Sequence, residues 1–134
     1  MVIDTSAILH ILFEEPGWQQ SVARLLTQET RVLSAASLVE AQAVIAGRTL
    51  GEPRELLDRL LLELHVELAP FTVGQAHLAR QAYLEFGKGQ GHEAQLNYGD
   101  VMAYALAKDR EEPLAFVGGD FEHTDLETVR LSAP

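Results

Sequence analysis

The sequence predicts an α/β fold: a sandwich with a mostly parallel central sheet of about five strands flanked by helices. Three observations lead there. Short apolar segments alternate along the chain with longer segments whose apolar residues recur at helical spacing. Turn and capping residues fall between them. No internal repeat, low-complexity tract or linker breaks the alternation, so residues 1–134 read as one domain.

In order, Met1 to Ile3 reads as a short buried strand. Thr5 to Phe13 reads as a helix with an apolar stripe of Ala7, Ile8, Ile11 and Leu12, stopped at Glu15-Pro16-Gly17. A second helix covers Trp18 to Gln28 through Val22, Leu25 and Leu26, and Arg31 to Ser34 suits a second strand. Ser37 is expected to cap a helix carrying Leu38, Val39, Ala41, Val44 and Ile45 and ending by Gly47 or Gly51. After Pro53, Leu56, Leu57, Leu60, Leu61 and Leu64 mark an amphipathic helix in which Leu62 exceeds what one core-facing stripe needs, as a partner surface or a thickly packed core helix would. Val66 to Ala69 is the third strand. Thr72 to Phe86 is helical, with Ala76, Ala79, Tyr83 and Phe86 on one face, and Gly87 to Glu93 is a glycine-containing loop. Asn97 opens a nearly all-apolar, hence buried, helix from Tyr98 to Ala107; Leu114 to Val117 and Thr128 to Leu131 complete the sheet.

Composition narrows the function. With 47% apolar and 22% charged residues the chain has an ordinary soluble profile. Its longest leucine-rich stretch, Leu56 to Leu68, is broken by Asp58, Arg59, Glu63, His65 and Glu67, so no membrane span is expected. Met1-Val2-Ile3-Asp4 offers no basic region or cleavage signal, and there is no cysteine, which excludes disulfides, zinc ribbons and thiol nucleophiles; a cytoplasmic protein is expected. The net charge of −10, with only 10 Lys and Arg, argues against ordinary phosphate binding through basic side chains. A nucleic-acid enzyme of this composition needs divalent cations for local positive potential, and a basic partner segment would be attracted to it.

Four acids stand where strands end or helices begin. Asp4 follows the first strand, Glu40 lies in the first turn after the second, Asp100 is in the first turn of the buried helix, and Asp120 follows Leu114 to Val117 across Gly118-Gly119. In a parallel sheet the strand C-termini share one edge, so these acids can converge in a cleft. Crowded carboxylates raise one another's pKa, and Mg²⁺ or Mn²⁺ relieves the repulsion through hard oxygen ligands. Such a centre polarises a phosphate and activates a water. Each acid alone also has a structural explanation: Ser37-x-x-Glu40 matches a capping box, Asn97-x-x-Asp100 a similar first-turn pair, Asp4 a cap and Asp120 a turn residue.

Other chemistry is disfavoured. His10, His65, His77, His92 and His123 show no ligand spacing, and Gly87-Lys88-Gly89-Gln90-Gly91-His92 lacks the Lys-Ser/Thr ending of a phosphate loop. Ser6, Ser34 and Ser37 lack a nucleophile elbow.

Five pieces in order resemble a PIN domain, specifically VapC-type toxins of type II toxin–antitoxin pairs: Val2-Ile3-Asp4-Thr5-Ser6-Ala7; Ser37-Leu38-Val39-Glu40-Ala41; Leu96-Asn97-Tyr98-Gly99-Asp100 with Ala103 to Ala107; Phe116-Val117-Gly118-Gly119-Asp120-Phe121; and His123-Thr124-Asp125-Leu126. The resemblance spans the chain and implies a PIN-like three-layer sandwich and an endoribonuclease using Mg²⁺ or Mn²⁺. It implies Asp4, Glu40 and Asp100 as metal-binding acids, with Thr5 or Ser6 orienting the centre by hydrogen bonds. Many relatives place the fourth acid where this chain has Gly119, so Asp120 either ligates directly or supports from one step away, and Asp125 is a candidate support for that corner. It further implies a homodimer and a cognate antitoxin whose basic C-terminal segment enters the acidic cleft, cutting RNA being the toxin's act. The competing readings are a non-catalytic acidic binding module on the same fold and a phosphohydrolase using Asp4 as nucleophile, the latter lacking the usual second acid because Ser6 stands there.

Overall fold

A computed structural model describes residues 1–48 and 55–131. The expectations placed on Gly51 and Pro53 fall outside the described residues. Five strands, β1 (Val2–Ile3), β2 (Val32–Ser34), β3 (Glu67–Ala69), β4 (Leu114–Phe116) and β5 (Thr128–Arg130), form one sheet in the order β3-β2-β1-β4-β5. Every pairing is parallel, so the mostly parallel sheet expected from sequence is wholly parallel among the described residues.

The six described helices are α1 (Thr5–Leu12), α2 (Trp18–Leu26), α3 (Ala35–Arg48), α4 (Leu56–Glu63), α5 (Val73–Phe86) and α6 (Asp100–Arg110). Strand side chains alternate between faces. Val2, Val32, Leu114 and Phe116 pack with α5 and α6, whereas Ile3, Leu33 and Ala115 pack with the helices α1 to α4. The result is three layers, helices on each side of the sheet. No described helix is long and apolar enough to cross a membrane.

Chain order runs outward from β1 to β3 on one side and through β4 to β5 on the other. The direction reverses between β1 and β4, and a crevice opens at such a switch point beyond the strand C-termini.

Three local expectations change. Ser37 does not cap α3, because the helix starts at Ala35, directly from β2. Ser34 Oγ accepts the Ala36 N–H at 3.2 Å, and the Ser37 hydroxyl is buried without a partner. The buried face of α5 is Gln75, Ala79, Ala82 and Phe86, leaving Tyr83 at the surface. The helix expected from Tyr98 begins at Asp100, Asn97 to Gly99 forming the approach turn. Leu62 is 76% exposed, so the surplus leucine of α4 is not core.

Thr72 caps α5 by accepting the Gln75 N–H at 3.1 Å. Thr72→Ala should therefore cost about 1 kcal/mol, the usual worth of such a cap. A urea titration would show it as a lower midpoint at unchanged slope.

Candidate active site

Asp4 directly follows β1 and is the N-cap of α1, its Oδ2 accepting the Ser6 N–H at 2.9 Å. The capping reading of this residue is realised, and the second oxygen, Oδ1, is buried without a hydrogen-bond partner. Burial pushes the Asp4 carboxyl up to about 6, against the hydrogen bonds from Ser6, and the charge of Glu40 adds to the rise. Ser6 also holds β4 in place, its hydroxyl accepting the Val117 N–H at 3.0 Å.

Asp100 opens α6 and is 7% exposed. It and Asn97 bond reciprocally: Asn97 N–H donates to Asp100 Oδ2, and Asp100 N–H to Asn97 Oδ1, each at 2.8 Å. This reciprocal pair closes the turn that leads into α6 and locks the orientation of the carboxylate. Burial again dominates, pushing Asp100 up to about 7 despite the Asn97 hydrogen bond, and the charges of Asp4, Asp120 and Glu40 push it further. All four acids singled out in the sequence therefore act electrostatically on one place.

Glu40 has lost its structural explanation. With α3 starting at Ala35, it lies in the second turn and cannot form a capping box with Ser37. Its carboxyl group lies against Gly99, beside Asp100. Asp120 is exposed, on the turn after β4 that Gly118 makes with φ 106°. That left-handed conformation suits glycine.

The donor set fits a divalent cation. Two desolvated carboxylates of raised pKa, an orphaned Oδ1 and the neighbouring charges of Glu40 and Asp120 form an arrangement that costs stability unless a cation offsets it. Among the described residues no three histidine, aspartate or glutamate side chains stand close enough together to hold a metal ion as they are placed.

Comparison with known proteins identifies the family and the fold. The family model described as the PIN domain matches residues 1–127. The chain belongs to the PIN-domain family. It is 46% identical over 133 residues to ribonuclease VapC30 of Mycobacterium tuberculosis, covering 98% of this chain and 99% of the relative. It is 43% identical over 127 residues to ribonuclease VapC28 of the same organism, covering 95% and 96%. Among solved structures, a chain of the VapBC2 complex of Rickettsia felis, bound to a promoter DNA fragment, superposes with a TM-score of 0.72 at 14% identity, covering 96% of each chain. Mycobacterium tuberculosis VapC20, described as a toxin that cleaves the sarcin-ricin loop, gives 0.69 at 18% identity, covering 96% of this chain and 98% of that one. These structures speak to the fold of this PIN domain, which is the sandwich expected from its sequence.

Two of the supporting residues expected for this PIN domain have defined partners. Asp125 is fastened to α6. It accepts from Tyr104 Oη and from Lys108 Nζ, both at 2.6 Å, one and two turns along α6 from Asp100. Partial burial pushes Asp125 up, but these two partners outweigh it and hold its carboxyl below the usual range. Its task is to fasten the segment after Asp120 to α6. Thr5 directs its hydroxyl to the Ser37 carbonyl at 3.3 Å, tying α1 to the helix that carries Glu40. Gly99 is the residue that sequence reasoning missed in this PIN domain, because its importance lies in a contact with α3.

The histidines are structural where they are buried. His10 bridges α1 and α2, Nε2 meeting Ser21 Oγ at 3.1 Å and Nδ1 meeting Glu15 at 3.2 Å. His92 lies edge-on to Phe86 with ring centres 4.9 Å apart, so the glycine-containing loop is pinned to the end of α5.

Proposed function

We propose that this PIN-domain ribonuclease cuts RNA at Asp4, Glu40, Asp100 and Asp120, with Mg²⁺ or Mn²⁺ held by those acids. The observation that carries the reading is the buried pair Asp4 and Asp100, both raised in pKa, with Asp4 Oδ1 left without a partner. Hard oxygen donors of this kind suit either ion. When bound, the cation supplies charge for the scissile phosphate and acidifies a water. The chain's own residues orient the acids: Ser6 and Asn97 fix one oxygen each of Asp4 and Asp100, leaving the other free to ligate. Asp120, exposed on its turn, completes the set either as a direct ligand or by supporting one.

Partners follow from charge and surface. A chain of net charge −10 with an acidic cleft suits an antitoxin presenting a basic C-terminal segment, so the toxin is held inactive until that segment leaves. Exposed Leu62 on α4 and the apolar groove between α5 and α6, about 510 Å³ and bordered by Tyr83, Leu84 and Tyr98, support further protein contacts, a homodimer among them. A cytoplasmic setting follows from an RNA target and such a partner.

The test uses protein freed of any bound partner. Cleavage of RNA should require Mg²⁺ or Mn²⁺ and stop on chelation. Mn²⁺ at about 100 times its Kd should add roughly 2.7 kcal/mol of stability. Absence of cutting with either ion, together with a melting temperature indifferent to millimolar Mn²⁺, would overturn the proposal.

A further inference from the structure

Gly99 has φ −69° and ψ −37°, right-handed backbone that any residue adopts. No turn geometry therefore requires glycine there. Its neighbour across the cleft does. A Cβ at Gly99 would coincide with the end of Glu40, overlapping Oε2 and Cδ and lying 2.8 Å from Oε1. Real side chains do not approach so closely, so either residue 99 lacks a Cβ or the Glu40 carboxylate goes elsewhere. What it would strike is the far end of a flexible side chain and not backbone. The displaced carboxylate has somewhere to go, because a groove of about 370 Å³ bordered by Val39, Ala43, Tyr98 and Met102 adjoins it. A methyl group at position 99 would thus move Glu40 without unfolding the chain.

We propose that Gly99 is a positioning residue, its missing side chain being the slot that holds the Glu40 carboxylate of α3 against the start of α6, beside Asp100. The inference rests on the metal-centre reading above and adds a steric requirement at a position that supplies no ligand. Two helices are packed so that the Glu40 carboxylate lies in the space a Cβ of residue 99 would fill. Without that space the centre keeps Asp4 and Asp100 but loses Glu40.

The experiment is Mn²⁺ titration calorimetry on the full chain, metal-free at the start, for wild type, Gly99→Ala, Glu40→Ala and the double variant. Gly99→Ala should weaken Mn²⁺ binding about 10- to 100-fold, the range seen when groups that orient metal ligands are lost. Glu40→Ala should weaken it at least as much, and the double variant no more than Glu40→Ala alone. The metal-free melting temperature of Gly99→Ala should stay at the wild-type value. Gly47→Ala, where a Cβ meets nothing within 4 Å, should leave Mn²⁺ affinity unchanged. Wild-type affinity in Gly99→Ala, additive losses in the double variant, or a collapse of the melting temperature in Gly99→Ala would each refute the slot. Failure of the wild type itself to bind Mn²⁺ refutes the metal-centre reading instead, and the slot with it.

Discussion

Asp100→Asn is expected to reduce metal-dependent RNA cleavage on the order of a thousandfold while making the metal-free protein more stable at pH 8. The two effects have one origin. Burial, then the charges of Asp4, Asp120 and Glu40, lift the Asp100 carboxyl from 3.8 to about 7, so at pH 8 the fold carries an anion it disfavours. Asparagine keeps an oxygen to accept the Asn97 N–H that Oδ2 accepts in the native protein at 2.8 Å. Its amide can donate to the remaining acids where a carboxylate would repel them. Since one pKa unit corresponds to 1.36 kcal/mol, stabilisation on the order of 2–4 kcal/mol is expected. Catalysis moves the other way, because a neutral amide is a poor ligand for a hard cation. Loss of several kcal/mol of charge stabilisation at the phosphate gives the thousandfold figure. The rate is read from single-turnover cleavage of a labelled RNA and stability from urea unfolding. A variant that is inactive because it is less stable would contradict this account, as would one that is stable and fully active.

Opposite signs of that kind mark a residue kept for chemistry at the expense of the fold. Sequence alone placed Asp4, Glu40, Asp100 and Asp120 at strand ends or helix starts, because alternating strands and helices leave few ways to order a parallel sheet. Each strand was visible as a short apolar segment, but the strand order β3-β2-β1-β4-β5 was not, because it is set by pairings between distant segments. The misplaced start of α3 has a specific cause. Ser37-x-x-Glu40 reads as a capping box, whereas the helix springs from Ser34 at the end of β2, and only the strand's own hydrogen bonds decide that. Correcting this start removed the structural explanation for Glu40 and strengthened its candidacy. The partners of Asp125 were not legible either, because Tyr104 and Lys108 lie on a helix some twenty residues away in sequence. Gly99 could not be read from sequence at all, because nothing local distinguishes a glycine that relieves a tertiary contact from one that makes a turn.

Raising the pH from 5 to 8 should destabilise the metal-free protein and, over the same interval, strengthen Mn²⁺ binding. Asp4 and Asp100 have folded-state pKa values of about 6 and about 7, both raised from 3.8. Raised acids contribute stability that is fully present below 3.8 and is lost as the pH climbs through the folded values, because the native state then holds protons that the unfolded chain has released. The acids with lowered pKa, Glu112 and Asp125, are ionised throughout this window and do not contribute to the slope. A cation competes with those same two protons. Below pH 6 Mn²⁺ affinity should rise by up to about a hundredfold per pH unit, between 6 and 7 by up to about tenfold, and it should level off above 7. Melting curves at pH 5, 6, 7 and 8, with and without Mn²⁺, would show the gap between the two conditions widening with pH. The decisive quantity is the difference between wild type and Asp100→Asn. That difference isolates the carboxylate centre, since the variant keeps every histidine and loses one of the two competing protons. If wild type and Asp100→Asn follow parallel lines from pH 5 to 8, Asp100 is not the strained acid that a cation must relieve, and the centre would have to be sought without it.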